Sequence, residues 1–455
     1  MIPRIQPVKS YQEKENVSSF VHEILESYWE SVGWDIPDSN SPNLVVVKPN
    51  WIQESHGYLP GVWEPVITHP NIVISVVEVL AELMQRQGTI CVCDAPHTYA
   101  DFTKITAIGD FRKKFEEITK RYPTLNFELL DLRREIWTLK EGVIVDRRPN
   151  SEDPRGYVCL NLGKDSRLWG YRGEGRYYGA DYDRSQVRNH HLRDKQEYLL
   201  SGTAIKCDLF VNLPKLKTHK KTGITCSIKN LVGINGDKNW LPHYTEGAPK
   251  TDGDEFPREN LATIFERISK KVGQNGLYKI PILGTWGYRK ARNIGKQVFG
   301  ESDNTIRNGN WSGNDTCWRM ALDINRALLY GNPDGTWRDS GNPKQYLTII
   351  DGIIGGEGNG PLSPDEVQSR VLIAGRNPAT VDAVACRLMG FDPKGLPIVR
   401  EAFAQHRWPI ADRNMGEVMV RDERVGRIVP LKEVTPAVTG GFKPHFGWIG
   451  SIEGK

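Results

Sequence analysis

A basic segment, "NLPKLKTHKKTGITCSIKN", runs over residues 212–230 and holds five lysines and one histidine but no acid. It continues the apolar run "CDLFVNL", so its first lysines lie where a buried strand should end. Lys229 lies between the apolar stretches "GITCSI" and "LVGI", and a lysine among buried neighbours either shifts its pKa or pairs with an anion. We therefore expect Lys215, Lys217 and Lys229 to hold an anion and His219 to transfer protons. The alternative is a solvated basic face, the usual meaning of a charge run.

An acidic counterpart lies in "IIDGIIGGEGNGP", residues 349–361, where Asp351 and Glu357 frame a run of glycines. The glycines predict either a wide turn or a segment that lets Glu357 and Asn359 reach into a cleft. A carboxylate that faces lysines can act in acid–base chemistry or hold Mg²⁺. The glycine pattern is not that of a dinucleotide-binding loop, and the chain has no P-loop motif.

Polar residues follow each of five apolar runs, at 44–47, 89–94, 207–213, 345–351 and 370–375. Ligands of open parallel sheets bind beyond the carboxyl ends of the strands, so these residues are candidates for one site. Lys48 and Asn50 follow the first run, Asp94 and His97 the second, and Arg376 with Asn377 the last. The predicted catalytic residues are His97, His219, Lys229, Asp351 and Glu357. The predicted substrate-binding residues are Lys48, Asn50, Lys215, Lys217, Asn230 and Asn359, and the predicted ligands of a divalent metal are Asp94, Asp351 and Glu357. We expect His97, His219, Lys229 and Glu357 to line one cleft, with Asp351 or Glu357 pairing with Lys229 when no ligand is bound.

The elements that must position these residues alternate between strands and helices. The apolar runs are rich in β-branched residues, as in a parallel sheet covered on both faces. Helices are predicted from Pro70 and over 377–390, the latter with Asn377 as N-cap and Gly390 as C-cap. The fold class is therefore α/β, with two domains of mainly parallel sheet and a ligand cleft between them. We expect an N-terminal domain over 1–275, with an irregular insert at about 140–200, and a C-terminal domain over 276–455.

Charge and cysteine content narrow the classes of function. The 455 residues carry a net charge of only +4, so no global field draws the chain to nucleic acid or membrane. The seven cysteines form no C-x-x-C pair, which argues against an iron–sulfur cluster. The N-terminus has no apolar core of signal-peptide type, and no run approaches the roughly 18 apolar residues of a spanning helix. We expect a cytoplasmic protein without a membrane span.

The segments "VVVKPNW", "CDLFVNLPKLKTHKKTGITCSIKNLVGI", "DGIIGGEGNGP" and "NPATVDAVACRLMG" resemble the family called domain of unknown function 362. Many relatives in that family carry ferredoxin-type cysteine clusters, and this chain has none. The lysine–histidine segment also resembles nickel-pincer lactate racemases, with His219 and Lys229 at matching spacing and His97 after a strand. That resemblance implies a cleft-centred α/β architecture, isomerase chemistry and a nickel cofactor.

These observations favour an enzyme that binds a small anion, such as a hydroxy acid, a sugar acid or a phosphorylated sugar. Isomerisation or epimerisation is the reaction that the resemblance implies. The alternatives are metal-assisted group transfer on a phosphorylated substrate, a non-catalytic module for a polyanion, and a scaffold whose charges only solvate a face. Few aromatics lie among the lysines, which counts against single-strand nucleic-acid recognition.

Overall fold

One large sheet collects strands from both halves of the chain in the computed structural model, which describes residues 1–34, 43–84, 87–140, 143–179, 184–260, 263 and 306–454. The described strands are β1 Arg4–Pro7, β2 Leu44–Pro49, β3 Thr89–Asp94, β4 Asn126–Asp131, β5 Glu135–Lys140, β6 Val143–Pro149, β7 Tyr157–Asn161, β8 Tyr177–Tyr178, β9 His191–Leu192, β10 Lys195–Ser201, β11 Leu209–Leu213, β12 Lys215–His219, β13 Gly223–Ile224, β14 Tyr244–Thr245, β15 Gln345–Asn359, β16 Ser363–Val367, β17 Val371–Gly375, β18 Met419–Asp422 and β19 Arg427–Pro430. The described helices are α1 Lys14–Ser31, α2 Pro70–Met84, α3 Phe102–Ala107, α4 Phe111–Arg121, α5 Arg184–His190, α6 Gly202–Lys206, α7 Cys226–Asn230, α8 Cys317–Tyr330, α9 Pro378–Met389 and α10 Pro397–Arg400.

The large sheet has the order β19-β18-β1-β17-β15-β11-β2-β3-β4, and β12, β13 and β16 pair beside β15. The five neighbours β15, β11, β2, β3 and β4 are parallel, so their carboxyl ends meet at one edge. The predicted α/β class with a mainly parallel central sheet is confirmed.

Both faces of this sheet are covered, which explains the continuous apolar runs. Val45 and Val47 of β2 pack in a core with α1, α2 and α4 on one face, whereas Val46 points into the other core with α8 and α9. α9 begins as predicted, since the Asn377 side chain accepts hydrogen bonds from two backbone N–H groups of its first turn.

The direction of β17 corrects one expectation. This strand runs antiparallel to β15, so its carboxyl end lies at the opposite edge from those of β2, β3 and β11. Arg376 and Asn377, which follow β17, are therefore not part of the predicted strand-end site. A run of five apolar residues predicts a strand but carries no information about its direction.

The glycine-rich segment 349–361 is also different from the expectation. It forms most of the 15-residue strand β15, which extends from Gln345 to Asn359. The turn comes only afterwards, where a Cβ on Gly360 would lie 2.0 Å from the Thr218 carbonyl oxygen. Glycine there lets the end of β15 pack tightly against β12.

The two-domain arrangement is not confirmed, because β11 of the predicted N-terminal domain pairs directly with β15 of the predicted C-terminal domain. The predicted boundary at 275/276 lies outside the described residues. Strands of the insert at about 140–200 pair in small sheets apart from the large one, β7-β10-β9 and β8-β14. Among the described helices, none is long and apolar enough to cross a membrane.

Candidate functional site

Parallel strands bring a buried polar cluster together at the carboxyl ends of β2, β3 and β11. Lys48 of β2 lies beside Asn212 of β11 in register, and its ammonium is 2.8 Å from the Asp94 carboxylate at the end of β3. The remaining Asp94 oxygen accepts a hydrogen bond from the Trp51 backbone N–H at 2.7 Å. Lys48 and Asp94 therefore both lie at the predicted edge of the sheet, but their charges neutralise each other.

Three asparagines extend this cluster in a chain of hydrogen bonds. Asn50 donates to Asn230 at 2.8 Å, and Asn230 donates to Asn212 at 2.7 Å. The Asn50 side-chain oxygen is buried and has no hydrogen-bond partner in the described part of the chain. A buried acceptor without a partner is costly, so this oxygen is available to a ligand or a water molecule.

Gly233 allows the loop after α7 to close over the Lys48–Asp94 pair. A Cβ at this position would lie 2.2 Å from the nearer Asp94 oxygen and 2.6 Å from the Lys48 nitrogen. Any larger residue would push the loop away from the strand ends. The Gly233 carbonyl also accepts a hydrogen bond from the Ala95 N–H at 2.8 Å, which ties this loop to the end of β3.

Next to this cluster lies a group that we call the basic pocket, formed by Lys229 of α7, His219 of β12 and His243. Lys229 is buried, with 8% exposure, and its side-chain amine makes no hydrogen bond or ion pair with any described residue. Burial lowers the pKa of Lys229, the nearby Lys48 charge lowers it further, and Cys317 partly opposes them. The basic pocket thus holds a buried amine that has no carboxylate partner in the described part of the chain.

The two histidines of the basic pocket are neutral and have different tautomers. The pKa of each lies well below the usual value, chiefly because of burial and next because of the Lys229 charge. His219 accepts a hydrogen bond at Nδ1 from the Lys221 N–H, so its Nε2 carries the proton. His243 Nδ1 lies 2.9 Å from the Leu241 carbonyl and must donate to it, so its Nε2 keeps a lone pair.

His97 lies in the same basic surroundings as His219. Burial lowers the pKa of His97 to about 3, and the charges of Lys238 and Lys220 add to the effect. Lys220 also lowers the pKa of His219, so both histidines lie within electrostatic reach of one ammonium. The buried Nδ1 atom of His97 has no hydrogen-bond partner among the described residues.

Asp351 and Lys215 form a closed structural pair and not an open site. Their charged atoms are 2.9 Å apart, and both residues are fully buried. Tyr11 donates to Asp351 at 2.7 Å and accepts from Lys215 at 2.9 Å, while the His69 N–H donates to the other Asp351 oxygen. The expected pairing of Asp351 with Lys229 is wrong, because its oxygens already have these partners.

Glu357 and Asn359 lie near the end of β15, where Glu357 contacts the C-terminal segment. Glu357 accepts a hydrogen bond from the Lys443 N–H at 2.8 Å and lies 3.4 Å from the Lys443 ammonium. It therefore does not pair with Lys229, contrary to the expectation. Asn359 is exposed at the start of the turn to β16.

Lys217 is buried, and its ammonium donates to the carbonyls of Val66 and Pro361. Burial lowers its pKa well below the usual value, and the Lys215 charge lowers it further. Lys217 thus holds two loops against β12, and its amine is already occupied.

The three carboxylates predicted to bind a metal do not share a site. Asp94 pairs with Lys48, Asp351 with Lys215 and Glu357 with Lys443. Within the described ranges, no group of three or more His, Cys, Asp and Glu side chains is arranged to hold a metal ion. The three carboxylates therefore do not fit Mg²⁺ or Ni²⁺ together.

Two residues that position α7 were not predicted from the sequence. Asp382 of α9 accepts hydrogen bonds from the Ser227 and Ile228 N–H groups at 2.7 and 2.9 Å, and burial raises its pKa to about 7. Asn325 of α8 donates to the Ile228 carbonyl at 2.9 Å. Both fix the short helix that carries Lys229. The signal in the sequence was an acid inside the apolar run "ATVDAVAC", where an unpaired charge is rare.

The family model of "Domain of unknown function (DUF362)" matches residues 173–387. The matched range contains the whole basic pocket, Asp382 and β15, whereas Lys48, Asn50, Asp94 and His97 precede it. No curated protein matches the chain. Residues 173–387, just under half of the chain, are therefore similar to the domain of unknown function 362 family, as the sequence motifs predicted.

Proposed function

We propose that the protein is an enzyme that binds a small anion in the basic pocket and moves a proton on it. The observation that carries this proposal is Lys229, a buried amine with no partner in the described part of the chain, beside two neutral histidines. A buried ammonium is stabilised by a counter-ion, and an anionic ligand would supply one. The substrate class is a hydroxy acid, a sugar acid or a phosphorylated sugar.

The histidine tautomers suggest how the proton moves. His243 Nε2 has a free lone pair and would remove a proton from the carbon next to the substrate's carboxyl or carbonyl group. The electron pair of the broken C–H bond moves onto the oxygen, where the His219 Nε2–H and the Lys229 charge stabilise it. Neutral His219 donates through Nε2, because its Nδ1 already accepts a hydrogen bond from the Lys221 N–H.

Lys229 would complete an epimerisation by returning a proton to the opposite face of the carbon. Burial lowers the pKa of Lys229 in the free protein, and the bound anion raises it again, so the complex holds the ammonium that donates this proton. His243 then carries one more proton and Lys229 one fewer, and exchange with solvent resets both. If the proton returns to a different carbon, the same groups perform an isomerisation.

The alternatives receive less support from the geometry. A module for nucleic acid or another polyanion needs an exposed row of cations, but Lys215, Lys217 and Lys229 are all buried. Metal-assisted transfer needs ligands that converge, and the predicted carboxylates are separated by their own lysine partners. The acid–base enzyme is thus the function that the basic pocket supports best.

A pair of lysine variants tests this proposal. Purified protein is titrated calorimetrically with D-lactate, gluconate and glucose 6-phosphate, and each variant is titrated with any anion that binds. Lys229→Met should abolish that binding. Lys443→Met is the matched control, because it removes a lysine whose side chain is 81% exposed, and it should leave binding unchanged. Equal binding by wild type and Lys229→Met, or no binding of any of the three anions, would count against the proposal.

The catalytic part has its own test. The bound anion is incubated with enzyme in D₂O, and loss of its C–H signal is followed by proton NMR. Wild type should exchange this hydrogen, and His243→Ala should lose exchange while retaining anion affinity through Lys229. If the wild type binds the anion but exchanges no hydrogen, the protein is an anion-binding protein and the proposed catalytic activity is wrong.

A further inference from the structure

A cavity with a volume of about 210 Å³ lies apart from the residues of the basic pocket. The residues around it come from the loop between β1 and α1, the segment before α2, the middle of β15 and the connection between β16 and β17. They include Ser10, Tyr11, Gln12, Glu64, His69 and Ile354. No member of the basic pocket lines this cavity, which we call the Glu64 cavity.

The electrostatic balance around the Glu64 cavity is negative. Glu64 is half-buried and has no hydrogen bond or ion pair within the described ranges. The charges within reach of Glu64 are Asp351, Glu366 and Lys215. Lys215 is already committed to Asp351, at 2.9 Å. A second ammonium, that of Lys114, lies within electrostatic reach of His69 on the cavity wall. Three carboxylates against two ammonium groups still leave the cavity suited to a cation.

The remaining walls suit carbon atoms and one hydrogen-bond acceptor. Tyr11 stacks on His69 with ring centroids 3.6 Å apart, and Ile354 adds aliphatic surface. His69 accepts a hydrogen bond at Nδ1 from the Asn71 N–H, so its Nε2 carries a proton that it can donate. Since liquid water occupies about 30 Å³ per molecule, a cavity of this size holds roughly seven non-hydrogen atoms.

We propose that the Glu64 cavity binds a small aliphatic primary amine in its ammonium form. The ammonium pairs with Glu64, the carbon chain contacts the Tyr11–His69 stack and Ile354, and a hydroxyl on the ligand can accept from His69 Nε2. Ligand pockets of this kind combine apolar walls with a few polar groups that fix orientation. The site would operate independently of the anion bound at Lys229.

Calorimetric titration with n-butylammonium chloride at pH 7 tests this site, with 1-butanol as the uncharged probe of nearly equal size. Wild type should bind n-butylammonium saturably and 1-butanol at least about tenfold more weakly, because only the cation pairs with Glu64. Glu64→Gln should also bind n-butylammonium at least about tenfold more weakly than wild type. This variant is expected to fold, since Glu64 is half-exposed and loses no hydrogen bond or ion pair to a described residue.

Two further variants distinguish Glu64 from a neighbouring acid and the Glu64 cavity from the basic pocket. Glu366→Gln removes a nearby exposed acid that does not line the cavity, and it should weaken binding much less than Glu64→Gln. Lys229→Met should leave n-butylammonium affinity unchanged, so failure of the anion proposal would not affect this result. The proposal is overturned if 1-butanol binds as tightly, if Glu64→Gln keeps wild-type affinity, or if wild type shows no saturable binding.

Discussion

Two buried lysines, Lys215 and Lys229, should respond in opposite ways when each is replaced by methionine. Lys215 lies 2.9 Å from the Asp351 carboxylate, and both side chains are fully buried. Lys215→Met leaves that carboxylate in the interior with only the Tyr11 hydroxyl and backbone N–H groups around it. Removing one partner of a buried pair typically costs about 3–5 kcal/mol, so we expect a loss of that size in the free energy of unfolding.

Lys229 has no carboxylate partner among the residues that the structure describes, so Lys229→Met removes a buried amine and keeps most of the packing. We expect the free energy of unfolding at pH 7 to change by no more than about 1 kcal/mol, or to rise. Burial lowers the folded-state pKa of Lys229 below 10.5, so the unfolded chain binds more protons between those two values. Wild type should therefore gain stability as the pH rises through this window, and Lys229→Met should lack that gain.

Urea unfolding followed by tryptophan fluorescence measures both variants against wild type. The expected result is a much lower midpoint for Lys215→Met and an unchanged or higher midpoint for Lys229→Met, with the same dependence on urea concentration. The reasoning is refuted if Lys229→Met costs as much as Lys215→Met, because Lys229 would then be a structural residue.

Two further variants test the supporting contacts. Burial raises the pKa of Asp382 from 3.8 to about 7, so the folded state binds more protons in that window and wild-type stability should fall by about 4 kcal/mol as the pH rises through it. Asp382→Asn should lack this fall, as seen in urea midpoints between pH 4.5 and 8; an unchanged pH dependence would contradict the assignment. Glu357→Ala removes the acceptor of the Lys443 N–H, so hydrogen exchange at residue 443 should speed up while anion affinity stays the same. A loss of anion affinity in Glu357→Ala would instead show that Glu357 contributes to anion binding.

The sequence predicted the sheet and the residues at its carboxyl edge because these depend on local patterns. Apolar runs with β-branched residues identified β2, β3 and β11, and the polar residues directly after them include Lys48 and Asp94. Asn377 and Gly390 marked the ends of α9 because capping preferences act within one turn.

The partners of these charges could not be predicted, because they depend on strand direction and register. β12 places Lys215 opposite Asp351 of β15, and nothing within the basic segment indicates which of its lysines meets a carboxylate. Glycines in 349–361 suggested a turn, yet they lie in a strand where neighbouring segments approach closely. The role of Asp382 was missed because the N–H groups that it accepts from belong to α7, about 150 residues earlier in the chain.

Proton uptake on anion binding is the most direct test of the claim that Lys229 is a buried amine awaiting an anion. An anion beside Lys229 should raise its lowered pKa, so binding above that pKa must draw a proton from the buffer. Calorimetric titration of the tightest-binding probe anion, between pH 7 and 9.5 in buffers of different ionisation enthalpy, measures this uptake. We expect up to one proton taken up by wild type, increasing with pH, and the same uptake in Lys443→Met. Binding of the anion without proton uptake across this range, or with equal affinity and uptake in Lys229→Met, would contradict the account.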